Sequence, residues 1–416
     1  MNSESPKRSG KNQMHQSIYA LATMDTKADE LCFVTDCIRR TGLGVILVDL
    51  STQGFSNRAD VTARTVAEAH TDGAEVVLSQ TDRGQAVTAM AEALQNWLLG
   101  QAASGKVAGV IALGGSGGTA IVAPAMQSLP IGMPKLIVST VASGNTQPYV
   151  GHSDITMMYS VVDVAGLNSV SRRVLSNAAH ALAGMVSHAT AIPSDKPAVG
   201  MTMFGVTTPC VDRVREALEA KGLDPLVFHA TGTGGQAMEK LVTDGLIGGV
   251  LDITTTEVAD EVVGGVMPGG PQRFDAILQS GIPYVMSLGA LDMVNFGARH
   301  SIPERFANRR FLVHNPQVTL MRTTVEENRQ IARWIAKKVN RSAAPLEILI
   351  PEQGVSMLDA EGQAFYDPEA DRVLFETLEQ EVQQTDSRRI TRHDCHISDS
   401  AFAEALVAAF EQVSGS

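Results

Sequence analysis

The sequence predicts an α/β fold of two Rossmann-like subdomains, each a mostly parallel sheet with helices on both faces. Three observations carry that expectation. Short apolar runs of strand length alternate with longer helix-compatible stretches along most of the chain. Glycine is abundant, with 37 residues, and aromatics make up only 5%, which suits tightly turned layers better than an all-β sandwich. Past a polar segment with two prolines, Pro193 and Pro197, the strand-then-helix plan starts afresh.

A chain of 416 residues is long enough for two domains that each bury a core. The expected division is a disordered tail at 1–16, a nucleotide-binding domain at 17–191, a linker at 192–197, and a second domain at 198–416 with a substrate or partner pocket. A net charge of −12 without a basic stripe argues against nucleic acid as a partner. No apolar run reaches the roughly 18 residues of a membrane span, so no membrane partner is expected. The polar N-terminus has no signal-peptide core. Cys32, Cys37, Cys210 and Cys395 have unpaired spacings, as reduced thiols of a cytoplasmic protein would.

In chain order, 17–22 reads as the first strand and 29–40 as an amphipathic helix, with Asp25, Thr26 and Lys27 in the loop between them. Ligands of open α/β sheets bind at such strand ends, so Lys27 is either a ligand group or the solvated lysine of a capping turn. The strand at 45–50 brings Asp49, Ser51 and Thr52. Asp49 is placed to hold a ribose hydroxyl or simply to open a loop. A short strand is expected at 75–78, then a helix from Arg83, Gly84, Gln85 and Ala86 to residue 99. Arginine opposes the dipole at a helix start unless an anion is near, which favours a phosphate contact for Arg83.

Residues 107–113 form an apolar run that reads as a buried parallel strand and stops at Gly114, Gly115, Ser116, Gly117, Gly118 and Thr119. Helix-compatible sequence resumes at 120–127. Strand, glycine turn and helix together point backbone amides at an anion, and Ser116 and Thr119 add hydroxyls. The stretch fits G-x-G-x-x-A but lacks the lysine of the phosphate-loop signature. An NAD site wants an acid about 20 residues further on, where this chain has Lys135. The alternative is a turn that only lets a helix sit close to a sheet. A strand at 135–139 ends in a second small-residue loop, expected on the same sheet edge as the first. A long helix follows at 168–191.

In the second half, strands are expected at 198–204, 226–228, 248–251, 284–287, 311–313, 346–350 and 390–392. Helices are expected at 211–221, 236–244, 325–338, 369–383 and 400–412. The loop His229-Ala-Thr-Gly-Thr-Gly-Gly235 echoes the first glycine loop. His229, Asp252, Glu257, Asp292, Asn295 and His314 gather at strand ends that one doubly wound sheet would bring to one face. Such a set supplies a general acid/base pair or caps its own turns, and no tight spacing supports a metal site.

These residues resemble a known family. Leu-Gly114-Gly-Ser-Gly-Gly-Thr119, Ser139-Thr-Val-Ala-Ser-Gly144, Ser160-Val-Val-Asp163, Asp25-Thr-Lys27 and Arg83-Gly84 are similar to the N-terminal ATP-binding domain of the tomato mosaic virus resistance protein and its uncharacterised bacterial homologues. So are Asp252-Ile-Thr-Thr-Thr-Glu257, Asp292-Met-Val-Asn-Phe-Gly297, His314-Asn-Pro316 and Asp367-Pro-Glu-Ala-Asp371. The likeness runs over nearly all of 17–414, while the plant protein's further C-terminal barrel has no counterpart here. It implies two Rossmann-like subdomains, ATP in the first, and a homodimer. By the resemblance, the nucleotide touches Asp25, Thr26, Lys27, Thr52, Arg83 to Ala86, and Gly114 to Gly118.

The resulting expectation is a cytoplasmic ATP-binding protein, with magnesium admissible beside the nucleotide and Lys27 and Arg83 as its cations. A small acidic or carbonyl metabolite is expected in a second-domain pocket, with Glu257, His229 or His314 moving protons and Asp292 in the same set. Two other readings stand beside it: a nucleotide-gated protein-binding module without turnover, and an NAD(P)-dependent oxidoreductase.

Overall fold

The computed structural model describes residues 16–54, 56–190, 196–342 and 344–415. Residues 1–15 of the expected tail and 192–195 of the expected linker lie outside them. The chain divides into two compact units, Met1–Ile192 and Pro193–Ser416.

In the first unit, β1 (Ser17–Ala22), β2 (Val45–Asp49), β3 (Val107–Gly114), β4 (Lys135–Ser139) and β5 (Thr156–Tyr159) form one parallel sheet in the order β2-β1-β3-β4-β5. The central strands are apolar throughout because helices cover both faces. On one face lie α1 (Met24–Arg39) and α7 (Ser169–Ser187), burying Leu31, Val34, Ile38, Leu175 and Leu182. On the other lie α2 (Ala63–Ala67), α3 (Ala74–Leu78), α4 (Arg83–Ala103) and α5 (Ser116–Ser128), burying Val66, Val77, Met90, Leu94, Ile121 and Met126. A one-turn α6 (Gln147–Val150) precedes β5. Asn168 caps α7 through the amides of Val170 and Ser171, and Ser171 returns the bond in a capping box. Gly109 is required where α7 crosses β3, since a Cβ there would lie 2.9 Å from Val186 Cγ2.

In the second unit, β6 (Ala198–Met203), β7 (Asp224–His229), β8 (Gly249–Thr254), β9 (Tyr284–Gly289), β13 (Leu346–Pro351) and β14 (Arg388–His393) form a parallel sheet ordered β14-β13-β9-β8-β6-β7. One face carries α9 (Thr233–Thr243), α10 (Thr256–Val263), α11 (Asp275–Ser280), α12 (Val325–Val339) and α13 (Pro368–Glu381). The other carries α8 (Thr208–Ala220) and α14 (Ser400–Ser414). A separate antiparallel sheet, β10 (Met293–Phe296), β12 (Val318–Arg322) and β11 (Phe311–Asn315), is inserted between β9 and β13.

The fold class is the expected one, with local corrections. Residues 75–78 are helical, not a strand: four residues carry no decisive period, and only Val77 of α3 is buried. The run at 311–313 is β11 of the antiparallel insertion, so His314 is not at the end of a main-sheet strand. The insertion went unread because β10 and β12 are four and five residues long. Among the described residues, no helix is long and apolar enough to cross a membrane.

Candidate functional site

In the order β2-β1-β3-β4-β5, connections leave β1 and β3 in opposite directions, so a crevice opens beyond their carboxyl ends. A cavity of about 260 Å³ lies there, lined by Thr23, Asp25 and Thr26 at the start of α1, Thr52 and Gln53 after β2, Arg83 and Val87 in α4, and Gly117, Gly118 and Ile121 in α5. The first turns of three helices thus border one cleft.

A buried carboxylate sets its shape. Asp49 accepts from the amides of Met24 (3.0 Å), Ser51 (2.9 Å) and Ser56 (3.1 Å), and from Ser51 Oγ. Ser51 Oγ in turn accepts from the Asp25 amide at 2.8 Å. The first amides of α1 and the loop bearing Thr52 are therefore fixed to one another. Asp49 is fully buried and spent on these bonds, which corrects its reading as a ribose ligand.

Helix α5 lacks any such partner. Its N-cap is Gly115, which has no side chain to bond the helix start. Among the described residues, the amides of Ser116, Gly117 and Gly118 have no acceptor, and the intrahelical ladder opens with Thr119 N on Gly115 O at 2.9 Å. The guanidinium of Arg83 faces this turn, 3.5 Å from where a Cβ on Gly117 would sit. Asp82 caps α4 through the Gln85 amide at 2.8 Å and holds Arg83 at the helix start.

The six glycine-loop positions divide by role. Gly114 serves packing, since a Cβ there would meet Thr119 N at 2.9 Å. Gly115 turns toward Thr140, and Ser116 is exposed. Gly117 and Gly118 line the cleft. Thr119 is a correction: its hydroxyl faces the sheet, 2.8 Å from Gly115 O and 2.6 Å from Ser139 Oγ, where it ties together the loops after β3 and β4. Lys27 is another. It sits at a kink in α1 (φ −131°, ψ 21°), and its ammonium donates to the Val164 carbonyl, leaving Arg83 as the cation in the cleft. Gly84 and Gln85 are exposed in the first turn of α4, outside the cavity lining, and Ala86 is buried beneath them. Thr23, Gln53, Val87 and Ile121 were missed. A period of one helical turn past Arg83 and Gly117 points to the last two.

The four expected catalytic side chains are not brought together. Glu257, in the first turn of α10, is fully buried. Its Oε1 accepts from Gly232 N (2.7 Å) and Gly235 N (3.1 Å), and its Oε2 from Arg273 Nε (2.8 Å). Arg273 also pairs with Asp252 at 2.8 Å and Glu239 at 3.1 Å, and Tyr284 and Thr202 donate to Asp252. The second glycine loop therefore already holds an anion, the chain's own carboxylate. Gly235 is glycine because a Cβ would lie 2.1 Å from Glu257 Oε2. Asp292 is buried in a different cluster, bonded to Ser356 Oγ at 2.8 Å. His229 is exposed and stacked on Phe204, and His314 is exposed on β11. The loop after β6 and the end of β8, which border the matching crevice of this sheet, are bonded directly through Thr207 Oγ1 and Thr254 Oγ1 at 2.7 Å. Among the described residues, no three His, Cys, Asp or Glu side chains are grouped to hold a metal ion.

The chain belongs to the uncharacterised protein family UPF0261: residues 16–191 match its N-terminal domain and residues 196–414 its C-terminal domain. A UPF0261 protein of Rhizobium meliloti is 53% identical over 396 residues, covering 95% of this chain and 98% of that protein. The ToMV resistance protein Tm-1(GCR237) of Solanum lycopersicum is 48% identical over 419 residues, covering 95% of this chain and 56% of the tomato protein. Among solved structures, a Streptomyces glycosyltransferase complexed with thymidine diphosphate matches 65% of this chain and 82% of its own at 11% identity, with a TM-score of 0.17.

Two expected outcomes follow from the buried carboxylates. Glu257→Gln places an amide donor against Arg273 and breaks a buried pair, so chemical denaturation should show a loss of about 3–5 kcal/mol. A general base on a rigid scaffold would instead lose activity at unchanged stability. Asp49→Ala strands at least three amides and should cost about 2–4 kcal/mol, with faster hydrogen exchange at Met24, Ser51 and Ser56.

Proposed function

We propose that this UPF0261 chain binds a nucleoside triphosphate, ATP with magnesium, in the cleft beyond β1 and β3. One observation carries the reading: Gly117 and Gly118, whose amides have no acceptor among the described residues, line the same cavity as Arg83. A helix start adds roughly half a positive charge, and three helix starts border this cavity. A phosphate supplies several acceptor oxygens to such a set. The Asp25 carboxylate in the same lining would repel a bare triphosphate, so a divalent cation beside it suits the donor set. Asp25 and Thr26 would face the cation side, Gly117, Gly118 and Arg83 the phosphates, and Thr52 and Gln53 the rim.

Nucleotide occupancy as a gate for binding a partner accounts for the second unit better than metabolite turnover there. Glu257 and Asp292 have their polar valence inside buried clusters, and His229 and His314 stand on separate surface elements. Virus resistance belongs to the tomato protein's name, and nothing in this cleft calls for it here.

Calorimetric titration with ATP and magnesium tests the reading. Gly117→Asp puts a carboxylate beside Arg83, as Glu257 stands beside Arg273, and should abolish binding. Arg83→Ala removes a charge-assisted bond worth about 1.5–3 kcal/mol and should weaken binding roughly 10- to 150-fold. Absence of nucleotide binding by the unmodified chain, or unchanged binding by Gly117→Asp, overturns the reading.

A further inference from the structure

The second unit holds another cluster of three carboxyl groups around one guanidinium, and it is incomplete where the Arg273 cluster is complete. Arg322, at the end of β12, pairs through Nη2 with Asp371 Oδ1 at 2.7 Å and lies 3.6 Å from Asp359 Oδ1. Its other donors are spent: Nε on the Phe365 carbonyl (2.6 Å), and Nη1 on Thr323 Oγ1 (2.8 Å) and the Asp292 carbonyl (3.4 Å). Asp292 and Asp359 are fully buried. Ser356 Oγ donates to Asp292 Oδ2, and the Val355 amide to Asp359 Oδ2 at 2.9 Å. Among the described residues, Asp292 Oδ1 and Asp359 Oδ1 receive no hydrogen bond. In the Arg273 cluster every carboxylate oxygen has a donor.

We infer that Asp292, Asp359 and Asp371 hold a proton among them at neutral pH, and that this proton latches the segment 354–367 onto the second unit. An ionised carboxylate oxygen without a donor is costly in such a place, and this cluster, unlike that of Arg273, has two of them. A proton on one of the acids removes a charge and supplies the missing donor. The segment it fastens carries Ser356, Asp359 and Phe365, and leads through the Asp367 carbonyl, itself bonded to Arg322 at 3.3 Å, into α13. The same segment walls a cavity of about 540 Å³ lined by Gly354, Ala360, Glu361, Tyr366, Asp371 and Arg392, among others.

The groups facing the cluster are Arg322 and Thr323 from β12 and the strand end beyond it, Ser356 and Asp359 from the loop after β13, and Asp371 from α13. His396, in the loop after β14, reaches the Ser356 carbonyl at 2.9 Å through Nε2 and takes the Ser398 amide on Nδ1 at 3.1 Å. Asn328 of α12 donates to the Ala370 carbonyl. Burial, reinforced by the Asp359 carboxylate, pushes Asp292 up to about 7. Burial likewise pushes Asp371 up to about 8 against the pull of Arg322. Acids held above their unfolded value of about 3.9 favour the folded state most at low pH, and that contribution declines as pH rises toward the folded values.

Hydrogen exchange of the full chain at about pH 6 and about pH 9, corrected for intrinsic rates, tests the latch. Protection at Val355, Leu358 and Phe365 should fall at least about tenfold between these conditions in the unmodified chain, a loss of one proton-linked unit. In Asp292→Asn, whose amide keeps the shape of a protonated acid and removes one of the titrating groups, the fall should be clearly smaller than in the unmodified chain. An equal fall in both chains overturns the inference, as does protection that follows added calcium or magnesium instead of pH. Infrared difference spectra of the unmodified chain give a second reading that survives misfolding of the variant. A protonated-carboxyl carbonyl band should be present at the lower pH and absent at the higher, and its absence throughout overturns the inference.

Discussion

A helix that begins at the carboxyl edge of a parallel sheet must find acceptors for its first amides, and that demand organises both units. Helix α1 meets it with Asp49 and Ser51, and α4 with Asp82. In the second unit the glycine turn before α9 meets it with Glu257, a side chain 22 residues beyond Gly235 in sequence and fixed by Arg273. Helix α5 meets it with nothing among the described residues. Two turns of similar composition therefore end differently, one closed by an internal carboxylate and one left open beside an arginine. The second leaves its first amides open to the cleft.

Carboxylate and phosphate are interchangeable at this level, which explains why the two loops look alike in sequence. Each needs glycines so that an anion can come close to the backbone. At Gly235 the anion is Glu257, and a Cβ would collide with it. At Gly117 a Cβ would meet only the tip of Arg83, at 3.5 Å. The cost of the internal solution is visible around Arg273, which gathers Asp252, Glu239 and Glu257 in a dry interior. Such clusters add little net stability over an apolar core, but breaking one is expensive, so they fix a single arrangement of β8, α9 and α10.

The two parallel sheets and the strand–glycine–helix succession at 107–127 were legible in the sequence because each rests on local pattern. Buried strands read as apolar runs, and a strand, glycines and a helix in succession have few other meanings. What failed depended on contacts far apart in the chain. Lys27 has the right type and place for a phosphate ligand, but a kink in α1 sends it to Val164. Thr119 belongs to a loop that faces the cleft, yet one helical position turns its hydroxyl to Ser139. The polar run ending in Glu257 looks catalytic until Arg273, 16 residues on, is seen to claim it. His314 was assigned to a main-sheet strand because the pairing of β11 with β12 leaves no signature in so short a run.

Residue type at a strand end is therefore a poor guide to which side chains are unspent in this fold. Asp49, Asp252 and Glu257 are acids at or near strand ends, and all are consumed by amides, hydroxyls or Arg273. Among the described residues, the amides at the start of α5 are donors without an acceptor, and Asp292 Oδ1 is an acceptor without a donor. The first lies at an open cleft, where a ligand of opposite character can enter. The second lies in a closed interior, where the smallest donor, a proton, is the one that fits. The rule that every buried polar group must be paired thus bears on the proton in the second unit, while the amides at the start of α5, at an open cleft, are free to take water or a ligand.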